Sequence, residues 1–191
     1  MAPRPGLNRE KVVDAAVTLL ERNGAAGLSL ARLAQHFGVR APSLYNHVEG
    51  SEGLRRAVRL RGLQQLGQAL QSAAVGRSGR EALSQLAHAY RDFVHGNPAL
   101  YALTVESTEG DDEELRLAGN DIVKVLLAVL TGYDLQGEEA IHAARIVRSA
   151  LHGFVALESN RGFALATDLE ESYERLIVLL HAGLSRAVEG G

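Results

Sequence analysis

Apolar side chains recur along most of this chain at the three-to-four-residue interval of a helix that buries one face. Val12, Val13, Ala16, Leu19 and Leu20 make one such face. Asn8 stands where an N-cap is needed and Gly24 where a helix would stop, which predicts a helix over 8–23. Ser29 is placed as the N-cap of a short second helix over 30–37, ended by Gly38. A third short helix is expected over 41–47, with Pro42 tolerated in its first turn. A longer fourth helix follows over 51–75 and a connector over 76–79. The fifth helix, 80–95, breaks at Gly96-Asn97-Pro98, and a short piece over 99–105 comes after it. The next helix is expected over 111–130, with acidic residues in its first turn where they complement the macrodipole. Beyond a turn over 132–137 lie two strongly apolar helices, 138–159 and about 168–188. No alternating run is bounded by hairpin signals, and no repeat has a solenoid period. The expected fold class is all-α.

Charge adds an asymmetry to this picture. The whole chain of 191 residues carries a formal net charge of −3. Residues 1–65 nevertheless hold ten basic residues, Arg4 and Arg40 among them, against five acidic ones, a net of +5, so the remainder carries −8. A split of this size suggests two parts with different partners, the basic one meeting nucleic acid. Cysteine is absent, which excludes disulfides, zinc-thiolate sites and thiol catalysis. The first residues lack the apolar run of a signal peptide, and no stretch reaches the roughly 20 apolar residues that span a bilayer. A cytoplasmic chain with no membrane partner is therefore expected.

Residues 28–48 carry the chemistry. Two short helices flank Gly38, Ala34 is small where they must cross, and Leu33, Val39 and Leu44 close an apolar wedge. This is the physics of a helix-turn-helix, whose second helix enters the major groove. Its exposed side chains would be Arg40, Ser43, Tyr45, Asn46 and His47, all able to reach phosphates or base edges. For Tyr45 and His47 the competing reading is packing within a small domain.

The order of these signals resembles the TetR family of one-component transcription regulators. Val12/Val13, Ala15, Ala16, Leu19, Leu20 and Gly24 match its first helix. Leu28-Ser29-Leu30, Leu33-Ala34 and Phe37-Gly38-Val39 match its second, Pro42-Ser43-Leu44-Tyr45 with His47-Val48 its recognition helix, and Leu54 its fourth. The resemblance implies DNA contacts from Ser29, Arg40, Ala41, Pro42, Ser43, Tyr45, Asn46 and His47. Many members have Lys at the start of the fourth helix. Ser51 stands there in this chain, and Arg55 or Arg56, one turn on, is the expected replacement. The implied organisation is a helix-turn-helix domain over 1–50, a linking helix over 51–75, and a helical bundle over 76–191 for effector binding and dimerisation.

In that bundle, Leu151-His152-Gly153-Phe154, Leu157-Glu158, Arg161-Gly162-Phe163 and Asp168-Leu169 with Ser172-Tyr173 resemble a C-terminal domain named for a Trp-His-Gly motif, with Leu151 at the Trp position. The resemblance implies an all-helical homodimer that binds a small effector in its core. His88, Tyr90, Phe93, Tyr101, Leu127, Leu151, His152, Phe154, Asn160 and Phe163 are the candidate pocket residues, although each alone reads equally as plain core. Ala144, Val147, Leu151 and Val155 form one stripe, and Leu169, Tyr173, Leu176, Ile177, Leu180 and Leu184 another. Both are expected to line a four-helix seam between two subunits, the alternative being that they face their own core. Glu139-x-x-His142 has di-iron spacing but no second copy, so neither metal nor other cofactor is expected. The expected function is a ligand-responsive regulator, a repressor released from double-stranded palindromic operator DNA by a small molecule, and not an enzyme. A helical-bundle enzyme or carrier, and a DNA-binding protein without an effector site, are the alternatives.

Overall fold

A computed structural model describes residues 6–106 and 112–186. Arg4, Asp111 and the expected helix end near Val188 lie outside the described residues. Eight α-helices follow in order: α1 Arg9–Asn23, α2 Leu30–Phe37, α3 Gly50–Ala74, α4 Gly79–Gly96, α5 Pro98–Thr104, α6 Glu113–Leu130, α7 Gly137–Ser159 and α8 Leu169–Arg186. Among the described residues there is no strand, so the all-α expectation holds. One expected helix does not form: Ala41–Leu44 is a 3-10 turn.

The chain divides into two compact units. The first comprises Met1–Gln65 and Asn97–Arg116, the second Leu66–Gly96 and Leu117–Gly191. Helices α3 and α6 each contribute to both. In the first unit the Asn8 carboxamide caps α1 by accepting from the Lys11 amide at 2.9 Å. Val12, Val13, Ala16 and Leu20 of α1 are buried, together with Leu30 and Leu33 of α2 and Leu54 and Val58 of α3. Glu21 of α1 reaches the first turn of α5, where its carboxylate accepts from the amides of Ala99 at 3.2 Å and Leu100 at 2.7 Å. A carboxylate there satisfies amides that have no partner within the helix.

Gly27 lies in the 3-10 turn after α1, and it is buried. A Cβ at this position would stand 2.0 Å from the Leu19 carbonyl oxygen. That oxygen is backbone and cannot rotate away. Gly27→Ala is therefore expected to destabilise the protein by at least the ~1–3 kcal/mol typical of overpacking. Gly6→Ala, with nothing within 4 Å of the added carbon, is the neutral control. Urea denaturation of the pair checks the prediction.

The second unit is held by α4, α7 and α8. Tyr173 of α8 is fully buried, and its hydroxyl donates to the Ala87 carbonyl of α4 at 2.7 Å. Leu83, Leu86 and Ala87 of α4, Val147, Leu151 and Val155 of α7, and Ile177 and Leu184 of α8 are buried as well. Seven of the ten residues expected to meet a second subunit are therefore covered by their own chain: Ala144, Val147, Leu151, Val155, Tyr173, Ile177 and Leu184. Leu169, Leu176 and Leu180 are half-buried. Most of each stripe thus packs within this unit, and exposed apolar residues lie beside them.

Candidate nucleic-acid interface

The turn between α2 and the 3-10 segment is built as its residues require. Ser29 Oγ accepts from the Arg32 amide at 3.3 Å and starts α2. Gly38 ends it with φ 63° and ψ 34°, a left-handed conformation that costs glycine no steric strain. The Val39 amide then donates to the Ala34 carbonyl at 3.0 Å.

After Arg40 the backbone winds on three-residue steps. Ser43 N donates to Arg40 O, Tyr45 N to Pro42 O, and His47 N to Leu44 O, at 2.9, 3.3 and 2.9 Å. Pro42 has no amide hydrogen to give. Side chains three apart eclipse on such a path, which sorts the segment into rows. Ala41, Leu44 and His47 form the inward row, with Leu44 fully buried and the other two half-buried. Arg40, Ser43 and Asn46 form an exposed row, and Pro42 and Tyr45, the latter 59% exposed, form a second. A cation, a hydroxyl and a carboxamide thus stand in register on one edge. Of the expected contact residues, Ala41 and His47 lie on the packing side. Ser29 already uses its oxygen as a helix cap.

Basic residues beyond this segment are differently placed. Arg55 of α3 pairs with Glu106, and Arg59 donates to the Glu106 carbonyl. Arg56 binds both oxygens of Asp112, at 2.6 and 2.9 Å, and Glu114 at 2.7 Å. Hydrogen bonds from Arg56 hold the Asp112 carboxyl below the usual carboxylate range. Arg61 pairs with Asp14 at 2.5 Å. Glu106, Asp112, Glu113, Glu114 and Arg116 bring four acidic residues and one basic residue into the first unit, whose described residues then number ten basic and nine acidic. The +5 of the first 65 residues is therefore a property of a linear cut. Cations still facing outward are local: Arg9, Lys11, Arg22, Arg32 and Arg40 are exposed. The acidic first turn of α6 was read as a dipole complement, but Asp112 and Glu114 also clasp Arg56, a contact across more than fifty residues that spacing does not reveal.

The candidate effector residues separate. Tyr101 belongs to the first unit and the other nine to the second. Tyr90 and His152 meet through the Tyr hydroxyl and Nδ1 at 3.4 Å. The rings of Phe154 and Phe163 are 5.0 Å apart, and Phe154 is also 5.0 Å from Tyr173. Asn160 is exposed at the end of α7, where its side chain donates to the Ala156 carbonyl at 2.8 Å, and is a cap. His88 pairs with Glu174 at 2.9 Å. What periodicity missed altogether is Arg91. Its guanidinium binds Glu158 through two bonds of 2.9 and 2.6 Å and Glu170 through a third of 2.6 Å, and lies 4.8 Å over the Tyr173 ring.

The family model described as tetracyclin repressor-like, C-terminal domain, matches residues 83–180. An uncharacterized HTH-type transcriptional regulator of Mycobacterium tuberculosis is 39% identical over 97% of this chain and 85% of its own length. Among solved structures, a protein of unknown function from Rhodococcus sp. RHA1 aligns with a TM-score of 0.85 and 23% identity, covering 97% of this chain and 99% of the other. BioQ with its natural double-stranded DNA operator aligns with a TM-score of 0.67 and 20% identity, over 94% of this chain and 99% of that one. These two structures share the fold.

Proposed function

The chain belongs to the tetracycline-repressor family of helix-turn-helix transcriptional regulators, and from this premise we propose that it is a homodimeric repressor released from a palindromic operator by a small molecule. The observation that carries the DNA part is the exposed row of Arg40, Ser43 and Asn46, backed by the buried Leu44. Residues 1–50 are the reading head in this proposal, α3 the link, and 76–191 the effector and dimer part. The structure of BioQ on its operator supports a DNA site of the same general kind.

Arg40 reaches phosphate or a guanine edge, while Ser43, Asn46 and Tyr45 contact the groove. Ser29 keeps its hydroxyl hydrogen for a phosphate oxygen, and Pro42 and Ala41 lie against the backbone. Arg55 is half-exposed and exchanges Glu106 for phosphate. The effector site is proposed around the Tyr90–His152 pair, with Phe93, Leu127, Leu151, Phe154 and Phe163 as apolar walls. His152-Gly153, the part of the Trp-His-Gly-like stretch this chain retains, supplies one polar group of that pair. A ligand acts only through unequal affinity for the two DNA-spacing states, and a coupling of about 1–3 kcal/mol lowers operator affinity 5- to 150-fold. The chain is not an enzyme in this reading, works in the cytoplasm, and has no membrane partner; among the described residues no helix is long and apolar enough to cross a membrane.

Selecting bound DNA from a random pool tests the reading and should return a palindrome with half-sites roughly 34–36 Å apart, or a multiple. Operator affinity should then fall with salt. Arg40→Ala should reduce the log–log slope by about 0.9 if Arg40 neutralises one phosphate. An unenriched pool, or a salt-independent affinity, rules the proposal out.

A further inference from the structure

We propose that His88, Glu170 and Glu174 form a divalent-cation site joining α4 to α8. One donor atom from each lies within 4.8 Å of the others. His88 comes from one helix, and the two glutamates stand one turn apart on the other. His88 Nε2 is 2.9 Å from the Glu174 carboxylate, so this ring nitrogen already points into the cluster. The imidazole stands edge-on to the buried Tyr173 ring, with centroids 5.9 Å apart, and this contact positions it.

Charge favours a cation here. His88, Arg91 and His95 form a polar row on α4, opposite Glu158 of α7 and Glu170 and Glu174 of α8. Three carboxylates here face one guanidinium and two imidazoles. A divalent ion neutralises two charges at once. Glu170 can turn to it without orphaning Arg91, because Glu158 alone already accepts two bonds from that guanidinium.

Distances require only side-chain movement. Donors about 2.1 Å from a tetrahedral ion stand ~3.4 Å apart. The Glu170 and Glu174 side chains are 60% and 49% exposed, which leaves them room to pivot inward. His88 would bind as the neutral ring with its proton on Nδ1, the ion replacing the proton between Nε2 and the Glu174 oxygen. One imidazole nitrogen, two carboxylate oxygens and an open position for water suit zinc or manganese better than calcium or a soft copper ion. Nothing in the spacing of residues 88, 170 and 174 suggests this, since the ligands come from helices more than eighty residues apart.

Calorimetric titration of the full-length, untagged protein with zinc sulfate tests the site. One ion per chain is expected. Both His88→Ala and Glu174→Gln should weaken binding by at least roughly tenfold, the lower end of what even an outer-shell change does. His142→Ala, which removes an exposed histidine outside the cluster, should bind as the wild type does. Zinc should also raise the melting temperature of the wild type and leave that of His88→Ala unmoved. Absence of saturable binding by the wild type, or undiminished binding by both cluster variants, overturns the proposal. Glu174→Gln preserves a hydrogen-bond acceptor for His88, so its result stands even if His88→Ala folds poorly.

Discussion

Arg91→Ala should destabilise the protein by about 3–5 kcal/mol, the cost of removing one partner from a buried ion pair. Both Arg91 and Glu158 are 12% exposed at their side chains, so solvent screening relieves little of the loss. Without Arg91, Glu158 keeps its bond from His95 at 3.0 Å. The Tyr173 ring also loses the cation lying over it. Arg91→Lys should recover part of the stability, because an ammonium restores the charge but cannot make the planar two-bond grip on Glu158. Urea denaturation of the three proteins measures the effect, and the pH dependence identifies its source. Hydrogen bonds from Arg91 hold the Glu158 carboxyl below its ordinary range. The resulting stability is full above the unfolded-state carboxylate pKa of about 4.3 and is lost as pH falls through the lower folded-state value. The gap between wild type and Arg91→Ala should therefore be widest near neutrality and narrow in acid. A gap independent of pH would assign the loss to packing.

Local chemistry was legible in the sequence because it is decided within one turn of chain. Asn8, Ser29 and Gly38 do what their residue types allow at helix ends, and all three occupy the roles expected of them. The segment after Gly38, expected as a helix over 41–47, is instead a 3-10 turn. From Ser43 to His47 its hydrogen bonds close three residues back, with Leu44 and Val48 buried beneath them. The arginines of α3 are largely engaged within the protein. Their carboxylate partners lie 47 to 58 residues away, with no periodic relation to them. A cut after residue 65 leaves Glu106, Asp112 and Glu114 on its far side, so it overstates the positive charge of the unit they belong to.

The apolar stripes of α7 and α8 show a different limit. Periodicity identifies positions that are buried, and it is silent on what buries them. Val147, Leu151, Tyr173 and Ile177 satisfy the pattern by packing on their own chain. A helix that is also apolar on a second side has a further surface to cover, and a count of hydrophobic residues merges the two. Both helices have such a side. Of the eleven large hydrophobics exposed among the described residues, five lie on these helices: Ile141, Ile146 and Leu157 on α7, Val178 and Leu179 on α8.

Leu179→Glu is accordingly expected to separate the proposed dimer into monomers that still fold. Leu179 is 70% exposed in the single chain, and with Leu176 and Gly183 it lies on one face of α8. On α7, Ile146 at 61% and Leu157 at 50% exposure share a face with Ala150 and Gly153. An added Cβ at Gly153 or at Gly183 meets nothing within 4 Å, so both faces leave room for a close helix. A two-fold seam on these faces would bury the same patch of each copy, which places Leu179 of both subunits in water-free surroundings. A glutamate there buries two carboxylates without partners, at a cost that exceeds the apolar area lost. The single chain tolerates the change because residue 179 is solvated when alone. Sedimentation should show a monomer, with helix content and urea stability of that monomer preserved. Operator affinity should fall by roughly 10²–10⁴-fold, since the second half-site is no longer presented at the effective concentration the dimer provides. Val147→Glu, by contrast, places a charge in the unit's own core and should abolish folding. If Leu179→Glu remains dimeric while Ile146→Glu does not, the seam runs along α7 alone; if both remain dimeric, these faces are not the subunit interface.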